Sequence, residues 1–378
     1  MSRLWAKKGW STMAGSDRVQ KHTGNRRCIS LPWLVVLAAL LMFLLATPGA
    51  SAQAPPSEQC SQCHGGSGMS KALPNGEKLE VFVDPSAFSS SVHGKKLICS
   101  DCHTGYMGYP HPKRDIASLR DYTIAQYEVC KNCHFANYNK TLDSIHYDLL
   151  VKGNRKAPVC TDCHSAHNVT PPGRPRSHIS QTCSTCHTAV YNEYGKSVHG
   201  RALVEEENAD VPACTDCHGV HNILNSKTPD FHTDSTELCS NCHTNKAMMD
   251  KYGISTRVVQ TYLNDFHGTT LTLRKRQSTD AWTDKAVCID CHGTHNISRV
   301  DAPDSPVMKA NLVKTCGKCH ADAGDNFPAA WLSHYEPSPG KAPLVYFVKL
   351  FYTLLIPFMV VGLSIHIGVN LWRVITHR

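Results

Sequence analysis

The chain has 378 residues, a formal net charge of +8 and 19 cysteines. The charge is uneven: residues 1–52 hold seven Lys and Arg against one acid, Asp17, so the remainder carries 32 basic and 30 acidic side chains. That near balance argues against a basic nucleic-acid-binding surface. The cysteine count points instead to metal, disulfide or cofactor chemistry.

From the N-terminus, a basic leader (Arg3, Lys7, Lys8, Arg18, Lys21, Arg26, Arg27) precedes an apolar run, Leu31 to Leu45, and the small-x-small site Ala50-Ser51-Ala52. This pattern predicts a secretory signal over 1–52, cleaved near Gln53. Arg26-Arg27 hints at a twin-arginine signal, but the residues after it fit poorly. Cys28 precedes the apolar run and is not placed for lipidation.

The other 18 cysteines form nine Cys-x-x-Cys pairs, each followed at once by histidine. In chain order they are Cys60, Cys63 and His64; Cys99, Cys102 and His103; Cys130, Cys133 and His134; Cys160, Cys163 and His164; Cys183, Cys186 and His187; Cys214, Cys217 and His218; Cys239, Cys242 and His243; Cys288, Cys291 and His292; Cys316, Cys319 and His320. Zinc sites do not need that adjacent histidine every time, and disulfides do not need it at all. Covalent c-type haem needs both elements. Two thiols add to the vinyl groups, and the neighbouring histidine binds the iron. Nine c-type haems are therefore expected. Their propionates would make the loaded protein acidic by roughly ten to twenty charges, which removes nucleic acid as a partner.

Two kinds of string alternate. C-x-D-C-H is often followed by x-x-H-N, as in CTDCHSAHN, CTDCHGVHN and CIDCHGTHN. The other kind runs into a helix-compatible stretch ending in S-x-H-G or a variant, as in TAVYNEYGKSVHG. The body reads as one leading string and four pairs. Of 23 histidines, eleven outside the strings, the leader and the tail remain for nine irons. His93, His146, His199, His267 and His334 end the helix-compatible stretches; His167, His221 and His295 follow C-x-D-C-H; His111 is the nearest substitute in the first pair. These nine are the candidate distal ligands, leaving His178 and His232 over, with Met308 as an alternative near the last pair. A histidine three residues beyond a proximal one lies on the same side of that haem, so it is expected to reach another iron.

Linkers rich in Pro, Gly, Asn and Ser separate the strings, and long periodic apolar stretches are few. The expected fold is mainly α with much irregular structure: short helices and loops wrapped around a covalent haem stack over 53–340, without a stable fold in the absence of haem. Tyr191–Tyr194 and Tyr252–Leu263 are expected helical spacers, and Val81–Val83 a small strand.

The tail, 341–378, holds 23 residues from Leu350 to Trp372 without Asp, Glu, Lys or Arg. That length spans a bilayer, with Pro357 tolerable as a kink. Tyr346, Tyr352 and Trp372 suit the interfaces. Arg373 and Arg378 put that end in the cytoplasm by the positive-inside rule, leaving the haem body in the periplasm on the inner membrane. His366 lies within the span, where an ionisable side chain is a functional candidate, for a shared b-type haem or a quinone. His377, past the span, reads as a surface residue.

The nine strings, the repeated H-N and S-x-H-G elements and the single span together resemble the membrane-anchored multihaem c-type cytochromes of anaerobic respiration, of the cytochrome c3-like, doubled C-x-x-C-H group. The tail is similar to the helix that links such bodies to a b-type cytochrome in quinol-oxidising bc-type complexes. The quinol dehydrogenases with an N-terminal anchor are related, and this chain departs from them there. The resemblance implies an electron carrier, not an enzyme, between the quinone pool or a b-type partner and periplasmic redox proteins. Two other readings stay open. One is a reductase of nitrite, hydroxylamine or a sulfur oxyanion, whose five-coordinate haem would sit in the first pair, where CSDCHTGYMGYPH breaks the repeat. The other is a polymerising extracellular conduit, against which the tail argues.

Overall fold

Each C-x-D-C-H string carries its own helix start. The aspartate carboxylate accepts the backbone N–H of the residue before the first cysteine: Ile98 to Asp101 at 2.8 Å, Val159 to Asp162 at 2.6 Å, Ala213 to Asp216 at 2.6 Å and Val287 to Asp290 at 2.7 Å. This is the side-chain half of a capping box. It closes the one-turn helices Cys99–Cys102, Cys160–His164, Cys214–His218 and Cys288–His292. The third and fifth strings instead lead into the helices Phe135–Leu142 and Thr188–Lys196.

The computed structural model describes residues 57–277, 285–329 and 334–376. The expected leader, with His22 and Cys28, and both His377 and Arg378 lie outside them. The described chain is mostly helical and irregular. Among the described residues the only sheet is one antiparallel pair, Ser70–Ala72 with Lys78–Glu80. The strand expected at 81–83 therefore falls three residues earlier. Val81 and Val83 are used otherwise: the Val83 amide donates to the His64 carbonyl, and the Val81 carbonyl is 2.8 Å from His64 Nδ1. The expected helix Tyr191–Tyr194 lies within Thr188–Lys196. The spacer expected over Tyr252–Leu263 is broken. A 3-10 turn, Asp250–Tyr252, ends on Gly253 at φ 63, and the helix resumes only at Val258–Leu263, because a left-handed cap residue stops the first turn.

The S-x-H elements start helices by the same rule. Ser144 caps Ile145–Val151 and Ser197 caps Val198–Val204, and Asp265 takes that place before Phe266–Gln277. The capping serines Ser91, Ser144 and Ser197 are buried, their hydroxyls spent on backbone N–H groups. The glycine of S-x-H-G is steric: a Cβ on Gly200 would lie 1.9 Å from the Tyr194 carbonyl oxygen, and one on Gly94 1.8 Å from that of Phe88.

Only eleven apolar side chains are buried among the described residues, and Tyr262, Leu271 and Val287 form a small cluster with Ile289. A body of this size buries far more when protein atoms alone make its core. The C-terminal helix Pro343–Thr376 contains Pro357 and has no buried residue. It is long and apolar enough to cross a membrane.

Gly200→Ala is expected to cost about 1–3 kcal/mol by overpacking. Gly195→Ala, in the helix Thr188–Lys196 with no atom within 4 Å of the new Cβ, should instead be neutral or gain up to about 1 kcal/mol. Thermal unfolding of the loaded protein followed by circular dichroism separates the two.

Candidate haem-binding sites

Every string histidine faces one of the nine distal candidates across a gap. His64 faces His111, His103 faces His167 and His218 faces His295, all with ring centroids 6.0 Å apart. His134 with His93 and His164 with His221 are also at 6.0 Å. His187 with His146, His243 with His199, His320 with His267 and His292 with His334 span 6.1–6.3 Å. Two imidazoles sharing one metal, with bonds of about 2 Å and about 1.1 Å from nitrogen to ring centre, would lie about 6.2 Å apart. All nine gaps fit that spacing.

The facing partners obey a rule. After the leading string, each odd string takes its partner from the stretch following the odd string before it: His93, His146, His199 and His267 face strings three, five, seven and nine. Each even string takes its partner from the even string after it: His167, His221 and His295 follow strings four, six and eight and face two, four and six. His334, after string nine, faces string eight. The two directions meet at a repeated joint. The amides of Val92, Ile145 and Val198, each just before a distal histidine, donate to the carbonyls of Val169, Ile223 and Ile297, each two residues after another. Behind each proximal histidine of strings four, six and eight the backbone turns through positive φ, at Ser165 (59°), Gly219 (87°) and Gly293 (82°). That turn sends His167, His221 and His295 away from their own strings, as expected of a histidine three residues on.

The thiols record the order of the strings in space. Cys60 lies near Cys99, Cys130 near Cys160, Cys183 near Cys214 and Cys239 near Cys288. The second thiol of each even string lies near the next odd one: Cys102 by Cys130 and Cys133, Cys163 by Cys186, Cys217 by Cys242 and Cys291 by Cys316. Neighbours in sequence are thus neighbours in space, from first string to ninth. A continuous cavity of about 5050 Å³ runs along strings one to eight, or about 630 Å³ for each, the size of a single cofactor site. Cys316, Cys319 and His320 lie outside its lining.

The donor chemistry also fits. All 18 string cysteines are free. Among the described residues no group of three or more His, Cys, Asp or Glu converges on a metal ion, so the donors come as facing pairs. A macrocycle that brings its own equatorial donors suits them, and a zinc site does not. Burial and the facing imidazole hold His199 and His292 down at about 4, and burial lowers His103, His146, His164, His167, His218, His221, His243 and His334 as well. Neutral imidazole is the metal-binding form.

The two histidines left over behave differently. His178 is exposed. His232 Nε2 lies 3.0 Å from both carboxylate oxygens of Asp290. Arg120 pairs with Asp162, and Arg176 with Asp216. A cation therefore clamps the aspartate of strings four and six, and histidine takes that place at string eight. The clamp was not anticipated from the sequence, although the aspartate repeats in every even string. Met308 caps the 3-10 turn Lys309–Asn311 and belongs to none of the nine facing pairs. His366 is exposed on the C-terminal helix.

Comparison with known proteins agrees with this geometry. Residues 86–165 match the family described as cytochrome c7 and related cytochrome c. Residues 152–191 and 207–248 match the doubled CXXCH motif. These matches support a multihaem c-type cytochrome and imply covalently bound c-type haem. No match was found among curated proteins or solved structures.

His232→Arg is expected to preserve haem content and visible spectrum, because arginine makes the same clamp at two other strings. Asp216→Ala should cost about 0.5–2 kcal/mol through the lost cap. Pyridine haemochrome assay and thermal unfolding check both.

Proposed function

We propose that the chain is a nine-haem electron conduit anchored in the inner membrane, linking a membrane donor to periplasmic redox proteins. The observation that carries this reading is the set of nine facing imidazole pairs at one spacing. A bound haem supplies reversible one-electron storage at its iron. The chain would hold each haem by two cysteine thiols and two facing histidines, and an iron held by both histidines would offer no protein-made vacancy to a substrate. Paired histidines also tend to hold potentials low. In the first pair, where a catalytic vacancy was the competing expectation, His167 faces His103 and His93 faces His134, so no specific observation favours a reductase.

The span Pro343–Thr376, with Arg373 at its end, supports a cytoplasmic C-terminus and a periplasmic body. The donor in this reading is quinol, through a b-type cytochrome partner. His366 within the span would contact a shared b-type haem or a quinone there, and a lone histidine on one helix requires a second helix for either role.

The resting ferric protein should show only low-spin signals in electron paramagnetic resonance. His111→Ala should convert one iron to high spin, while His178→Ala changes nothing. A high-spin signal in the unaltered protein would favour the reductase. In membranes, His366→Leu should slow quinol-driven haem reduction severalfold while dithionite still reduces all haems; an unchanged quinol rate removes the role given to His366.

A further inference from the structure

Three of the four capped distal elements are covered by a later part of the chain, through the amides of Val92, Ile145 and Val198 on Val169, Ile223 and Ile297. The fourth is Asp265-Phe266-His267-Gly268. It is built alike: the Gly268 amide donates to Asp265 Oδ1 at 3.0 Å, and a Cβ there would lie 2.2 Å from the Tyr262 carbonyl oxygen. The element that covers the other three does not recur after Ile297. Phe266, at the position of Val92, Ile145 and Val198, is 84% exposed, against 37% for Val92. Phe327, whose ring lies 4.9 Å from that of His320 and tilted by 43°, is also exposed. An aromatic side chain has replaced an aliphatic one where the repeat loses its cover.

Beyond string nine the chain leads into the span helix Pro343–Thr376. Arg257, nine residues before Phe266, is paired with Glu336 at 2.7 Å. Six residues lie between Glu336 and Pro343, where the span begins, seven steps along the chain and a reach of about 25 Å at full stretch. The helix Phe266–Gln277 ends in the run Arg274-Lys275-Arg276. Exposed aromatics and a short basic run, in a chain that also carries an apolar helix long enough to span, are the composition of a segment lying on acidic headgroups.

We propose that the helix Phe266–Gln277 rests on an anionic bilayer surface, with Phe266 in the headgroup layer, so that the His267–His320 pair is the membrane-side end of the ladder. This rests on reading Pro343–Thr376 as a membrane span. It is tested on the full-length loaded protein in nanodiscs of phosphatidylglycerol or phosphatidylcholine, by hydrogen exchange of peptides covering 266–273. Exchange should be slower in phosphatidylglycerol by at least about fivefold, the factor expected of one engaged basic side chain. The difference should disappear in R274E/K275E/R276E and shrink in Phe266→Ser, which carries the comparison if the triple variant loses haem. Equal exchange in both discs overturns the proposal while the span stands. Equal protection in detergent means protein covers the segment, and overturns it too. Failure to co-migrate with either disc removes the span and the proposal together.

Discussion

Everything in this body depends on one distance: two imidazoles held about 6 Å apart across a gap the chain leaves open. Neither ring can set that distance locally: in seven of the nine pairs the distal histidine follows a string two places away from the one it faces, and only His111 and His334 come from the adjacent string. The chain therefore has to cross itself at each site. Short capped helices make this possible, since a one-turn helix fixed by its own aspartate needs no apolar core to hold its direction. The cavity and the scarcity of buried apolar side chains are two sides of the same arrangement. Side chains that would pack against each other in an ordinary domain line the gap instead, so folding and cofactor attachment share one free energy.

The crossing rule also explains why the motif is doubled. A distal histidine from an earlier odd string and one from a later even string leave the same joint, tied by a single backbone hydrogen bond at Val92, Ile145 and Val198. Each joint thereby positions ligands for two consecutive sites, as His146 and His221 do for strings five and four. Moving one ligand moves its neighbour, which keeps consecutive sites at a common spacing. The side-chain clamps on Asp162, Asp216 and Asp290 fix the strings from the other side. Being partly exposed, they stabilise more through the aspartate's cap than through charge.

Much of this was legible in the sequence because the chemistry demands adjacent residues. Cys-x-x-Cys-His is local, so the strings could be read one by one, and counting the remaining histidines led to the nine that face them. His111 is the instructive case: nothing local marks YPHPK, and only the shortage of one ligand singled it out. Which ligand meets which string was not legible, because that is set by the crossing of distant segments. The clamps were missed for the same reason, with Arg120 and Arg176 lying 42 and 40 residues from their aspartates. The strand at 81–83 was misplaced because its alternation looks like pairing, whereas its backbone serves His64.

The repeat is regular enough that its departures carry meaning. At string eight the clamp is histidine in place of arginine; at the His267 element the covering segment is gone and phenylalanine stands exposed. Both departures fall at the end of the body nearest the C-terminal helix. A stack whose sites were all equivalent would have no ends, and a conduit needs two different ones. The first end is closed by a ligand from the irregular loop at His111. The last is held by His334, nine residues before the span, and by Arg257 on Glu336. The same short segment thus supplies a facing histidine of the eighth site and leads within nine residues into the apolar helix Pro343–Thr376, so covalent chain length limits how far that end of the ladder can lie from the helix.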